Sequence, residues 1–110
     1  MPSPARIRST IATMAAPPEE VRVLRGFYKA LADTTRLRIL QRLADSDATV
    51  TELTDHVDLS QPLVSWHLRT LRVAGLVETR RSGREVICTL SRDGVATYLQ
   101  RERAFLGLAG

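Results

Sequence analysis

The side chains best suited to chemistry in this chain are polar and follow one another at intervals of four residues. Gln61, Ser65 and Arg69 would lie on one side of a helix if residues 61–74 were helical. An arginine guanidinium can pair with a guanine through two hydrogen bonds, and a glutamine amide can pair with an adenine in the same way. The pattern favours recognition of base edges in a DNA groove. The alternative is a solvated polar helix face.

A second basic group follows, because Arg80, Arg81 and Arg84 flank Ser82-Gly83, a dipeptide suited to a hairpin turn. Residues 61–84 contain five arginines and one glutamate, so their net charge of +4 equals the formal net charge of the whole chain. Concentrated basic charge is typical of a phosphate-binding face. The alternative explanation is a general preference for arginine, which supplies 15 of the 16 basic residues.

Length and composition limit the other function classes. A chain of 110 residues predicts one domain. Its single cysteine cannot form an internal disulfide, so we expect a cytoplasmic protein. No run of about 20 apolar residues predicts a membrane span, and no signal peptide is expected. We find no glycine-rich phosphate loop and no nucleophile with a histidine partner, so we expect no enzyme, no catalytic residue and no cofactor.

Hydrophobic periodicity predicts a mainly α domain with a β-hairpin wing, in the order α-α-α-α-β-β-α. The third and fourth helices, separated by a tight turn at residues 58–60, have the form of a helix-turn-helix. Residues 1–18 contain four prolines and predict a flexible arm, and residues 19–110 form the domain. The predicted helices are 19–32, 34–44, 49–57, 61–74 and 92–106, and the predicted strands are 76–81 and 84–90.

Capping signals and apolar stripes predict how these elements begin and pack. Asp33 and Ser60 are expected to cap the second and fourth helices, and Thr49 and Glu52 have the spacing of a capping box. The expected core positions are Val23, Phe27, Ala30, Leu31, Leu37, Ile39, Leu40, Leu43, Leu53, Val57, Val64, Leu68 and Leu71.

Four stretches resemble the ArsR/SmtB regulators: residues 31–40 (LADTTRLRIL), 59–68 (LSQPLVSWHL), 71–77 (LRVAGLV) and 80–86 (RRSGREV). The resemblance covers roughly residues 20–107. It implies a homodimeric winged helix-turn-helix repressor that reads a palindromic operator in double-stranded DNA, with helix 61–74 in the major groove. In such regulators an effector usually releases the DNA, so an unknown small-molecule effector is a possible further partner, and the sequence leaves open whether one exists.

The resemblance and the residue types together give two sets of site residues. The predicted DNA-binding residues are Ser60, Gln61, Leu63, Ser65, Trp66, His67, Arg69, Arg80, Arg81 and Arg84. The predicted dimer interface, formed by the first and last helices, contains Val23, Phe27, Val95, Tyr98, Leu99 and Phe105.

The chain departs from the family where many members bind a metal. Two cysteines of one family metal site correspond to Thr49 and Thr51, and hydroxyl groups are poor ligands for soft metals. The acidic and histidine ligands of a second site, on the last helix, correspond to Arg92, Gly94, Phe105 and Leu108. We therefore expect no metal at either site.

Three residues have alternative interpretations. Trp66 could contact a sugar or a thymine methyl group, or could pack against the wing. His67 is expected to donate to a phosphate or to a main-chain group. Cys88 shares a strand face with Val86 and Leu90, which favours a buried apolar role over a redox sensor. For the whole chain, the alternatives to a specific repressor are a low-specificity architectural DNA-binding protein and a domain used for protein contact only.

Overall fold

The computed structural model describes residue 4 and residues 19–108, so nearly all of the predicted arm lies outside the described residues. The predicted winged helix-turn-helix order is confirmed, with one short strand added before the third helix. The elements are α1 (Glu19–Leu31), α2 (Thr34–Asp45), β1 (Ala48–Thr49), α3 (Val50–Val57), α4 (Gln61–Val73), β2 (Val77–Ser82), β3 (Glu85–Leu90) and α5 (Arg92–Phe105).

Side-chain caps fix where several helices begin. The Asp33 carboxylate accepts from the backbone N–H of Arg36, and Thr49 and Glu52 form the predicted capping box with two bonds of 3.1 Å. The prediction for Ser60 is wrong in one respect, because this residue is the N-cap of α4 but its side chain makes no capping hydrogen bond. Ser91, which the sequence analysis did not single out, caps α5 by accepting from Gly94 N–H.

The sheet has three antiparallel strands in the order β1-β3-β2. Ala48 pairs with Cys88, and the hairpin register runs from Val77 opposite Leu90 to Ser82 opposite Glu85. The loop is therefore Gly83-Arg84, one residue later than the predicted Ser82-Gly83. Gly83 has φ +61°, and a glycine with positive φ at the first loop position is typical of a tight hairpin turn.

The core lies between the helices and the inner face of the sheet. Ile39, Leu53, Val64, Leu71 and Cys88 are fully buried there. The expectation for Leu37 is wrong, because half of its surface is exposed; Leu31 and Leu40 are half-buried at the edge of the core. Leu24 is a buried member of α1 that the sequence analysis missed.

Within the described part of the chain, no helix is long and apolar enough to cross a membrane.

Candidate nucleic-acid interface

A tight turn after α3 sets the direction of α4. Asp58 adopts a left-handed conformation with φ +55°, which aspartate tolerates better than most residues. Its N–H donates to the Thr54 carbonyl at 3.0 Å and so closes α3. Two residues later, the Ser60 carbonyl accepts from Val64 N–H at 3.0 Å as α4 begins. The turn thus joins the two helices with few residues, as a helix-turn-helix requires.

Helix α4 divides into an inner and an outer face, as its sequence predicts. Val64, Leu68 and Leu71 are buried against the rest of the domain and hold the helix in place. The residues on the other face are exposed: Gln61, Leu63, Ser65, Trp66, Arg69 and Arg72. The helix therefore offers hydrogen-bonding groups of Gln61, Ser65 and Arg69 to an external partner, and their contact with DNA remains a prediction.

The wing is attached to the C-terminal half of α4. The Arg72 guanidinium donates to the Thr79 hydroxyl at 3.2 Å, which joins the helix to strand β2. Arg80, Arg81 and Arg84 are exposed on the wing, and Arg84 lies in the loop at its tip. A helix that exposes hydrogen-bonding groups and an adjoining hairpin that exposes three cations can contact a groove and the phosphates beside it at the same time.

His67 and Trp66 lie on the side of α4 that faces α1 and α2. His67 is buried, and its Nδ1 atom is 3.0 Å from a terminal guanidinium nitrogen of Arg36. The predicted contact of His67 with a phosphate or a main-chain group is therefore corrected, because its partner is a side chain in the interior. Trp66 is 58% exposed and has His67 and Arg36 as its aromatic and cationic neighbours, which favours an outward position over packing against the wing.

Arg36 is the functional candidate that the sequence analysis missed. Only 8% of its surface is exposed, which is unusual for an arginine. A signal was available, because Arg36 precedes Ile39 and Leu43 at helical spacing and so lies on the buried stripe of α2. A charged residue at a core-facing position requires hydrogen-bonding partners, and Arg36 has them in the Lys29 and Ala30 carbonyls and in His67.

Comparison with known proteins identifies the relatives of this arrangement. The family model for bacterial regulatory proteins of the arsR family matches residues 33–79. The chain is 35% identical over 103 residues to a probable mercury resistance operon repressor of Streptomyces lividans. This match covers 94% of this chain and 82% of that protein. The chain belongs to the arsR family. Since this is a family of regulatory proteins, the chain is not an enzyme, as the sequence predicts.

Other relatives are regulators as well. The transcriptional repressor SmtB of Mycobacterium tuberculosis is 44% identical over 83 residues, 74% of this chain. This match spans only 62% of the length of that repressor. Among solved structures, HlyU from Vibrio cholerae superimposes with a TM-score of 0.65 at 35% identity, over 80% of this chain and 97% of that one. NolR from Sinorhizobium fredii superimposes with a TM-score of 0.66 at 36% identity, over 81% of this chain and 89% of that one.

The dimer residues expected for an arsR-family protein fall into two groups. Phe27 and Tyr98 are buried inside the domain, where their rings stack with centroids 4.4 Å apart. They can therefore offer little surface to a second chain. Val23 and Val95 are half-buried, while Leu99 and Phe105 are about half exposed and remain available to a partner.

A carboxylate bridges α1 and α5 beside this aromatic stack. One oxygen of Glu102 accepts from the hydroxyl groups of both Tyr28, at 2.8 Å, and Tyr98, at 2.9 Å. Burial, with the nearby Glu102 carboxylate, raises the pKa of Tyr98 to about 12, and the hydrogen bond to Glu102 raises the pKa of Tyr28. Both phenols therefore stay protonated and hold the two helices together at neutral pH.

The side chains at the family's metal positions do not fit a soft metal. The Thr49 hydroxyl already accepts a hydrogen bond from Glu52 N–H and serves as a helix cap. Arg92 donates to the Ala44 carbonyl at 3.1 Å, and Gly94 has no side chain to offer. In residues 19–108, no cluster of three or more His, Cys, Asp or Glu side chains is suited to hold a metal ion.

Cys88 lies at the centre of the sheet rather than at a surface. It is fully buried, as predicted, and burial raises the pKa of its thiol to about 11. A thiol reacts and binds metals as the thiolate, so this environment disfavours both at neutral pH.

Proposed function

We propose that this arsR-family chain is a cytoplasmic, homodimeric transcriptional repressor that binds a two-fold symmetric operator in double-stranded DNA. In each protomer α4 enters the major groove and the wing contacts the flanking backbone. The observation that carries the proposal is the outer face of α4, where Gln61, Ser65 and Arg69 are exposed beside a wing bearing three exposed arginines. Ser60 and Leu63, both exposed at the start of α4, complete the proposed contact surface.

Two features support a dimer and a protein that senses something other than a soft metal. Leu99, Phe105, Leu106 and Leu108 leave apolar surface exposed at the C-terminal end of the chain, which a second copy would cover. The threonines at the family's cysteine positions lack the thiolates that a soft metal prefers. The mercury resistance and SmtB relatives support the repressor role, while the signal to which this protein responds is a separate property.

The experiment that tests the proposal is selection of binding sites from a pool of randomised duplex DNA at physiological salt. We expect enrichment of a sequence with two-fold symmetry, with half-site centres separated by about one helical turn or a multiple of it. Each half-site should contain a guanine or adenine at the positions facing Arg69 and Gln61. Enrichment of unrelated sequences, with binding that depends only on salt, would instead support an architectural DNA-binding protein.

A further inference from the structure

The Arg36 side chain connects the end of α1 with the helix that is proposed to read DNA. Its Nε atom donates to the Ala30 carbonyl at 2.7 Å, and one terminal nitrogen donates to the Lys29 carbonyl at 3.0 Å. Carbonyls in the last turn of a helix lack partners within that helix, and the negative end of the helix dipole favours a cation there. Arg36 is therefore fixed by two hydrogen bonds to α1 that do not involve α4.

The remaining terminal nitrogen of Arg36 reaches Nδ1 of His67 at 3.0 Å. A guanidinium can only donate hydrogen bonds, so Nδ1 of His67 must accept and the ring proton must lie on Nε2. The contact consequently requires a neutral imidazole. Because His67 is a residue of α4 and is only 6% exposed, this single hydrogen bond links α4 to both α1 and α2.

Trp66 connects this buried contact to the outer face of α4. Its ring centroid is 5.1 Å from that of His67 and 5.9 Å from the central guanidinium carbon of Arg36. An aromatic face within about 6 Å of a guanidinium is attracted to it. Trp66 is also 58% exposed, so it lies between the buried His67–Arg36 contact and the outer surface of α4.

A second partner for His67 is already in place. The Asp33 carboxylate lies 3.8 Å from Nδ1 of His67. The hydrogen bond from the backbone N–H of Arg36, with a smaller contribution from the Arg36 charge, holds the pKa of Asp33 below its usual value, so this carboxylate is charged at neutral pH. Among the described residues, the charged groups beside the imidazole are thus Arg36 of α2 and Asp33, which precedes α2. Helix α1 acts on His67 only indirectly, because its Lys29 and Ala30 carbonyls accept hydrogen bonds from Arg36.

From this geometry we infer that Arg36 and His67 are positioning residues for DNA binding. When His67 is protonated, its Nδ1 atom loses Arg36 as a hydrogen-bonding partner and takes Asp33 instead, and this change weakens DNA binding. The added proton on Nδ1 turns the acceptor into a donor and places two cations against each other. The protonated ring then has its favourable partner in the carboxylate, toward which α4 must shift. The unperturbed pKa of a histidine side chain lies between pH 5 and 8, so the tests below span this range.

The first test uses the free protein, so it does not depend on the proposed function. Trp66 is the single tryptophan of the chain and therefore reports on this cluster alone by its fluorescence. We expect its emission to fall as pH is lowered from 8 to 5.5, because a protonated imidazole quenches indole. In His67→Asn, the amide oxygen replaces Nδ1 as an acceptor that does not titrate, and the emission should stay constant.

His56 provides a matched control because it is the other histidine of the chain and is exposed. The His56→Asn variant should keep the fluorescence titration of the wild type. An emission that is flat in the wild type, or a titration that persists in His67→Asn, would overturn the exchange of partners.

The second test rests on the proposed function and measures affinity for the selected operator at the same pH values. We expect binding by the wild type to weaken about tenfold between pH 8 and 5.5, equivalent to about 1.4 kcal/mol. Binding by His67→Asn should stay within about threefold of its pH 8 value, and His56→Asn should behave as the wild type. A fluorescence titration without a change in operator affinity would overturn the positioning role. Absence of operator binding at pH 8 would instead reject the proposed function.

Discussion

Arg69 is the residue with the strongest claim to read a base. It is exposed on the outer face of α4, eight residues after Gln61 and therefore on the same side of the helix. We expect Arg69→Ala to weaken operator binding by about 1–3 kcal/mol and to relax the sequence preference at one position of each half-site. Anisotropy titrations against the operator and its single-base variants measure both effects.

Arg103 supplies the control for this substitution. It is an exposed arginine in the last turn of α5, outside the surface proposed to contact DNA, so Arg103→Ala removes the same charge from the molecule. If both variants lose affinity equally and keep the sequence preference, Arg69 acts only through its charge and does not read a base.

Cys88 should be inert in the folded protein. Because burial raises its pKa to about 11 from 9.0, the neutral thiol is the favoured form, and this stabilises the folded state below pH 9. That contribution is lost as pH rises toward 11. We expect alkylation by iodoacetamide at pH 7.5 to follow unfolding, so mass spectrometry should show unmodified native protein and full modification in urea. Rapid modification of the native protein would revive the redox-sensor interpretation.

For individual residues, the exposed side chains of the candidate site could be predicted from the sequence, and the buried contact between His67 and Arg36 could not. The outward positions of Gln61, Ser65 and Arg69 follow from helical spacing alone. The place of His67 depends on Arg36, which is 31 residues earlier in the chain. Spacing within one helix cannot show that a residue of another helix supplies its partner.

Among the elements, α3 depends on its capping box. The Thr49 side chain accepts from Glu52 N–H, and the Glu52 side chain accepts from Thr49 N–H. We expect Thr49→Ala to lower the free energy of unfolding by about 1 kcal/mol, which thermal denaturation followed by circular dichroism would show as a reduced melting temperature.

Thr51 is a matched control for this loss. It is an exposed threonine of the same helix that takes no part in the capping box, and alanine favours helices. Thr51→Ala should therefore leave the melting temperature unchanged or raise it slightly. An equal loss in both variants would show that threonine content, rather than the cap, stabilises α3.

The elements also show where local sequence signals end. Helix α2 begins at Thr34, as the sequence predicts, while α3 begins at Val50, one residue after the predicted start, because Thr49 is its N-cap. The two-residue strand β1 was not predicted, because it exists only through its pairing with Cys88 and Ile87 of β3. The predicted hairpin loop is one residue too early, because Gly83 fits a loop at Ser82-Gly83 as well as one at Gly83-Arg84. The pairing register of β2 with β3 selects the second loop.

At the scale of the whole molecule, the proposed dimer makes a separate prediction. Leu99 is half exposed on α5, and a charge there would be buried without a partner in a dimer. We expect sedimentation velocity to give twice the 12.2 kDa chain mass for the wild type and a shift toward monomer for Leu99→Glu. Gln100→Glu, one residue further around the exposed helix surface, should remain dimeric. A wild-type monomer at micromolar concentration would contradict the proposed dimer.

One anisotropy titration at physiological salt shows whether α4 and the wing together recognise a specific DNA sequence. The wild-type protein is titrated against the selected operator and against a scrambled duplex of equal length and composition. We predict that the operator binds at least about 10³-fold more tightly, as specific DNA-binding proteins do. Equal affinity for the two duplexes would show that the protein does not recognise a specific DNA sequence.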